Sequence, residues 1–165
     1  MDALTAIASR HSTRSFKHDP VSREQLETIV NAGRHAPTAR DEQPWQFVMV
    51  SESTARKRLA ELTEGHDPFI ADAPVCIAVF CKAGKYFLED GCAAAENMLI
   101  AATALGLQSC WVAGDKKPYA EAVGTLLFAP ENMRLVALLV IGHGTAGGQP
   151  SARRPLAEVL HWERF

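Results

Sequence analysis

The sequence predicts a single domain that mixes α-helices with β-strands, and three observations predict it. The chain has 165 residues, 47% hydrophobic and 22% charged, which suits one compact domain with a sizeable core. Short runs of strand-forming residues alternate along it with stretches whose apolar residues recur at helical spacing. The longest such stretch, Tyr86 to Leu105, is apolar nearly all round and is therefore expected to be buried. No internal repeat and no long linker divides the chain.

The elements follow in order. Residues 2–9 predict a short helix. Ser22-Arg23-Glu24-Gln25 has the pattern of a capping box, with Ser22 as N-cap and Gln25 three residues on. Leu26, Ile29, Val30 and Gly33 then keep helical spacing, so a helix is expected over 23–35, ended by Pro37. The polar loop 37–44 runs into Trp45-Gln46-Phe47-Val48-Met49-Val50, an alternating strand. Ser53 is expected to cap a helix through Leu62, and a loop with Gly65 and Pro68 follows. Residues 74–80, Pro74 to Phe80, are apolar on both faces, as a central strand is.

The long helix over 86–105 has Gly106 as its expected C′ residue. Its run from Gly91 to Ala102 is rich in small residues, which lets another helix approach closely, in the core or on a second subunit. Leu107 to Val112 predicts a strand ending at Ala113-Gly114-Asp115. A helix over 119–127, a turn at 129–132 and a last strand from Arg134 to Ile141 complete the pattern. The tail resumes apolar character at Leu156, Val159, Leu160, Trp162 and Phe165, and such a tail needs a surface to pack on.

Bulk properties exclude several classes. A formal net charge of −2 and a pI near 6.3 suggest no nucleic-acid or anionic-membrane partner. No apolar run reaches the ~18 residues of a membrane span. Met1 to Ala6 lacks the regions of a signal peptide. Cys76, Cys81, Cys92 and Cys110 sit in apolar surroundings without a CxxC pair, so they read as reduced thiols of a cytoplasmic protein. The six histidines lack metal-site spacing, and no metal is expected.

The chemistry concentrates in Arg10-His11-Ser12-Thr13-Arg14-Ser15-Phe16. In an extended segment alternate side chains share a side, so Arg10, Ser12 and Arg14 can converge on one oxyanion. Arginine can bind phosphate through two parallel hydrogen bonds. A second basic cluster, Arg153-Arg154-Pro155, lies near the C-terminus, and the two ends are expected to meet on one phosphate. The alternative is a set of solvated surface arginines. Gly142-His143-Gly144-Thr145-Ala146-Gly147 also matches the G-x-G-x-x-G pattern of dinucleotide-binding turns. Gly148, Pro150 and Pro155 follow it, so the helix such a site needs cannot form well, and a flexible turn out of the last strand is expected instead.

Four motifs, in order and at matching separations, carry a resemblance to a known family. They are Arg10-x-Ser12-x-Arg14-x-Phe16; Ala36-Pro37-Thr38 continuing to Gln43-Pro44-Trp45; Gly106-Leu107-x-x-Cys110-Trp111-x-x-Gly114; and Arg153-x-Pro155-Leu156 with the Trp162-Glu163 tail. Over essentially its whole length the chain resembles the nitroreductase family of FMN-dependent oxidoreductases. The resemblance implies an α+β fold, with a mixed, mainly antiparallel sheet surrounded by helices, in an intertwined homodimer with FMN at each of two interface sites. It implies a single domain over 1–165 whose tail, from about 143, packs on the partner.

By the same resemblance Arg10, Ser12 and Arg153 hold the FMN phosphate, with Arg154 a rival to Arg153. Arg14 reaches the ribityl chain or the pyrimidine edge of the ring, and a plainer phosphate or surface contact is its alternative. Pro37, Thr38 and Ala39 flank the flavin of the other subunit, and Trp111 lines the wall. Ala113 and Gly114 present backbone N–H groups near N5 and O4. His11, Asp41 and Gln43 lie within the motifs and are taken with the cofactor-binding set. No catalytic side chain is expected, since the flavin itself carries the hydride.

The implied activity is hydride transfer from NAD(P)H, as co-substrate, to nitroaromatic, quinone or related small-molecule acceptors by a ping-pong mechanism. The alternatives are a same-fold enzyme with a dedicated substrate, such as a dehydrogenase or dehalogenase, a non-catalytic FMN-binding protein, and a structural dimer without cofactor. One departure stands out: Asp41 occupies a position where the family usually has asparagine. A carboxylate cannot donate a hydrogen bond, so Asp41 either points away from the flavin or tunes it differently.

Overall fold

A computed structural model describes residues 1–63, 67–145 and 148–165. Gly65, His66, Ala146 and Gly147, which entered the readings above, lie outside the described residues. The elements are helices α1 (Ala3–Ser9), α2 (Arg23–Gly33), α3 (Ser53–Leu62), α4 (Phe69–Asp72), α5 (Phe87–Ala104) and α6 (Ala120–Leu126), with strands β1 (Trp45–Val50), β2 (Val75–Lys82), β3 (Gln108–Ala113) and β4 (Met133–Gly142). One-turn 3-10 helices occur at Ala39–Asp41 and Leu156–Glu158.

The strands form one sheet in the order β1-β2-β4-β3, antiparallel throughout. A parallel component enters through a bridge between Ser12 and Ser109 at the edge of β3. Helices cover both faces. Ile77, Val79, Val136 and Leu139 pack with Ile29 of α2 and with Ala94, Ala95, Met98 and Leu99 of α5. Ala78, Phe80, Leu138 and Val140 pack with Leu59 of α3, Ile70 of α4 and Val123 of α6. β2 and β4 are thus apolar on both faces, as the run at 74–80 predicts.

Small residues set the spacing of the α5 layer. A Cβ on Gly91 would lie 2.6 Å from Val136 Cγ2 and 2.9 Å from Cys81 Sγ, so α5 meets the sheet there without a side chain between. On α2, a Cβ on Gly33 would lie 2.8 Å from Met98 Cγ. Gly106 closes α5 at φ 77°; its N–H donates to Thr103 O and that of Leu107 to Ala102 O, a Schellman motif. Within the single chain α5 is not covered all round: Glu96 is exposed and Cys92, Asn97 and Ile100 are half-buried.

The capping box forms as predicted, with Gln25 N–H donating to Ser22 Oγ at 3.2 Å and Ser22 N–H to Gln25 Oε1 at 3.1 Å. Three local readings need correction. Glu52, not Ser53, occupies the N-cap of α3, and no side chain caps it. α2 ends at Gly33, before the position expected from Pro37. Residues 142–144 do not turn out of the last strand: Gly142 ends β4, and the chain stays extended to Gly144, which is bridged to Phe16, with Lys17 N–H donating to His143 O at 2.7 Å and a bend at Thr145. Backbone pairing with the 15–17 segment supplies the order that the glycines alone lack.

Candidate functional site

The Arg10–Phe16 stretch leaves α1 and lies along the free edge of β3. Thr13 N–H donates to Ser109 O at 2.9 Å, and Phe16 fills the core beneath. Thr13 and Phe16 are buried, while Ser12 and Arg14 are exposed and Arg10 is half-buried. Three of these side chains act on one point of β3. Burial pushes the Cys110 thiol up, while Arg14, the Ser12 hydroxyl and Arg10 pull it down and Asp67 adds to the rise. The Ser12–Ser109 bridge sets this stretch beside β3, next to Cys110.

Arg10 Nε lies 4.0 Å from Glu96 Oε1, the outer limit of an ion pair, and Arg14 has no ion-pair partner among the described residues. His11 points elsewhere. Its Nδ1 donates to Ser9 O at 3.0 Å, and its buried Nε2, packed against Gly148, has no hydrogen-bond partner among the described residues. The buried hydroxyls of Thr13 and Ser109 also lack partners among the described residues, so the edge carries unused polar capacity.

The 38–43 turn is the second part. Its backbone is unusual, with φ of 56° at Arg40, 57° at Asp41 and 46° at Gln43. Asp90, 5% exposed on the first turns of α5, holds it: Thr38 Oγ1 donates to Asp90 Oδ2 at 3.0 Å and Ala39 N–H to Asp90 Oδ1 at 2.9 Å. Thr38 Oγ1 in turn accepts from Gln43 N–H at 3.0 Å. Pro37 and Asp41 are exposed, Thr38 and Ala39 half-buried. The Asp41 carboxylate accepts from Gln43 Nε2 at 2.8 Å, so its partner is Gln43 and not Arg40.

The third part is the end of β3. Gly114 N–H donates to Val136 O at 3.1 Å. By antiparallel alternation, Ala113 next to it turns its N–H away from β4, towards the free edge. The expectation of two presented N–H groups is corrected to one, because the sheet already engages that of Gly114. Glycine is required at 114 by packing: a Cβ there would lie 2.7 Å from Leu135 Cγ and 2.8 Å from the Val136 carbonyl carbon. The Tyr119 hydroxyl donates to Ala113 O and anchors the strand end. Trp111 is half-buried, packed beside α5.

The C-terminal part is exposed from Gly148 to Phe165. Arg153 and Arg154 make no ion pair among the described residues, and Leu156, Trp162 and Phe165 are open to solvent, as are Leu4 and Ile7 of α1. Gly148 against His11 brings the start of the tail beside the Arg10 stretch. Sequence reading missed Asp90, Thr13 and Tyr119. No local signal set Asp90 apart from Glu89 beside it or Glu96 further along α5.

Among the described residues no helix is long and apolar enough to cross a membrane, and no group of side chains could hold a metal. The model of the nitroreductase family matches residues 7–66 and 55–143. An Archaeoglobus fulgidus protein provisionally named an NADH dehydrogenase/NAD(P)H nitroreductase is 32% identical over 148 residues, covering 86% of this chain and 85% of that protein. The Bacillus subtilis FMN reductase [NAD(P)H] is 26% identical over 191 residues, covering 99% and 74%. In fold, an FMN-dependent nitroreductase from Clostridium difficile superposes with a TM-score of 0.92 at 23% identity, covering 98% of this chain and 99% of that one.

Proposed function

The chain belongs to the nitroreductase family, and from that premise we propose that it is an FMN-dependent NAD(P)H oxidoreductase working as a cytoplasmic homodimer. The observation that carries the reading is the β3 edge. At one end the Arg10–Arg14 stretch is bridged to it through Ser12, and the other presents the Ala113 N–H. The residues fit FMN: two guanidiniums and a hydroxyl suit its phosphate and ribityl oxygens, and an unengaged backbone donor suits the ring edge.

Bound FMN would supply the hydride carrier between NAD(P)H and a nitroaromatic, quinone or related acceptor, the two occupying the site in turn. The chain binds and orients. Arg10 and Ser12, with Arg153 from the tail, hold the phosphate; Arg14 supplies positive charge, which stabilises negative charge developing on a ring beside it. Trp111 forms a wall, and the Pro37-Thr38-Ala39 segment flanks the ring bound by the other subunit. The exposed apolar residues of α1 and the tail support the dimer, since such side chains favour burial on a partner. Four free cysteines are in keeping with a reducing cytoplasm.

The test is direct. Protein purified in air should be yellow, bleach with NADH or NADPH under argon, and recover its colour with a quinone. A panel of acceptors then ranks the substrates. Colourless protein that takes up no FMN, or bound flavin that neither nicotinamide bleaches, overturns the reading. Truncation after Arg154 should release FMN and shift light scattering from dimer towards monomer together. A full-length, yellow, active monomer at micromolar concentration overturns the dimer.

A further inference from the structure

We propose that Asp90 is a positioning residue, whose buried carboxylate sets the 38–43 turn and thereby the surface that this turn offers to a bound flavin. The inference rests on the functional reading above for the identity of the ligand, but not for the geometry of the turn. Among the described residues, the hydrogen bonds that tie residues 38–43 to the rest of the fold are the two that end on Asp90. Glu42 N–H to Ala39 O, Gln43 N–H to Thr38 Oγ1 and Gln43 Nε2 to Asp41 Oδ1 all stay within the turn.

The chemistry explains why the residue is acidic. An ionised carboxylate only accepts hydrogen bonds, and here each oxygen faces a donor, the Thr38 hydroxyl and the Ala39 N–H. By accepting the hydrogen bond of the Thr38 hydroxyl, Asp90 leaves that oxygen free to accept from Gln43 N–H, so one buried group orders both ends of the turn. An asparagine at 90 keeps the shape but points an N–H₂ at one of two donors. Both oxygens of the Asp90 side chain, only 5% exposed, are thereby hydrogen-bonded. Such a tether is what three left-handed residues in one six-residue turn require, since the local backbone alone disfavours them.

The test compares wild type, Asp90→Asn, Asp90→Ala and Thr38→Ser, each with FMN and after its removal. The flavin-free readout is tryptic cleavage after Arg40, which is exposed at the crown of the turn. Cleavage should quicken several-fold in both Asp90 variants and stay at the wild-type rate in Thr38→Ser, which keeps the hydroxyl. The FMN dissociation constant should rise about tenfold in Asp90→Asn, as for loss of one hydrogen bond to a charged group. The melting temperature of the flavin-free protein should stay near wild type in Asp90→Asn.

Wild-type cleavage and FMN affinity in Asp90→Asn overturn the proposal. So does a general loss of melting temperature without selective cleavage at Arg40, which marks a merely structural role. Quickened cleavage with unchanged FMN affinity also overturns it, because the turn then does not serve the flavin. If the wild type binds no FMN, the functional reading fails on that measurement and the flavin part of this proposal falls with it. Cleavage at Arg40 still decides whether Asp90 sets the turn.

Discussion

The Tyr119 hydroxyl donates to the carbonyl of Ala113, across the turn that joins β3 to α6. The bond fixes the last peptide of β3, an edge strand of the sheet. Burial, with a smaller contribution from Asp67, pushes the Tyr119 phenol above its usual range, so it remains a donor at neutral pH. Tyr119→Phe leaves the carbonyl without that donor. The expected cost is about 1 kcal/mol of stability by urea unfolding, together with weaker FMN binding as Ala113 loosens. No change in either measurement removes Tyr119 from the scaffold of the site.

Arg10 and Arg153 lie at opposite ends of the chain, and both are assigned to the FMN phosphate. Arg10→Ala and Arg153→Ala should each weaken FMN binding by roughly 2–3 kcal/mol, the worth of a charge-assisted bidentate contact. Each variant should purify paler than wild type. Arg58→Ala is the control, since Arg58 is exposed on α3 and pairs with Glu61 at 2.6 Å. Fluorescence titration of FMN decides; full affinity in both variants excludes a shared phosphate site.

The Asp41 carboxylate accepts from Gln43 Nε2 at 2.8 Å. Near a flavin its charge opposes the negative charge that two-electron reduction places on the ring. Asp41→Asn should therefore make the FMN midpoint potential less negative, by on the order of 20 mV for a screened interaction of ~1 kcal/mol. The check is a redox titration of both proteins at pH 7 in one buffer. An unchanged or more negative potential shows that Asp41 does not tune the flavin.

Burial pushes the Cys76 and Cys81 thiols up to about 12. In the unfolded chain a thiol titrates near 8.5. Between those values the native state holds more protons than the unfolded state, so stability is full below about pH 8.5 and falls as pH rises towards 12. Each thiol contributes a slope of roughly 1.4 kcal/mol per pH unit in that window. Urea unfolding at pH 8 and pH 10.5 should show the loss. Cys76→Ala, whatever it costs at pH 8, should flatten the slope; an equal slope in that variant assigns the loss to other groups.

Much of the fold was legible in the sequence, because its signals are local. Alternation marked β1, doubly apolar composition marked β2, and spacing with capping chemistry marked α2 and the end of α5. The Ser12–Ser109 bridge keeps the Arg10–Arg14 stretch extended, the backbone state from which the alternation argument starts. Where a neighbour outside the local window took over, reading failed. The Gly142–Gly144 segment looks like a turn by composition but is extended, because residues 15–17 pair with it.

By itself, then, the sequence determined which segments are helix or strand and which faces are apolar. Only the tertiary structure decided that Gly114 N–H belongs to the sheet and Ala113 N–H to the free edge, since that depends on the register of β3 against β4. Only it decided that Asp90 holds Thr38, 52 positions away. The physical reason is one of range. Propensity and periodicity act between neighbours in the chain, whereas a hydrogen bond between distant residues exists only once packing of the core has brought their elements together.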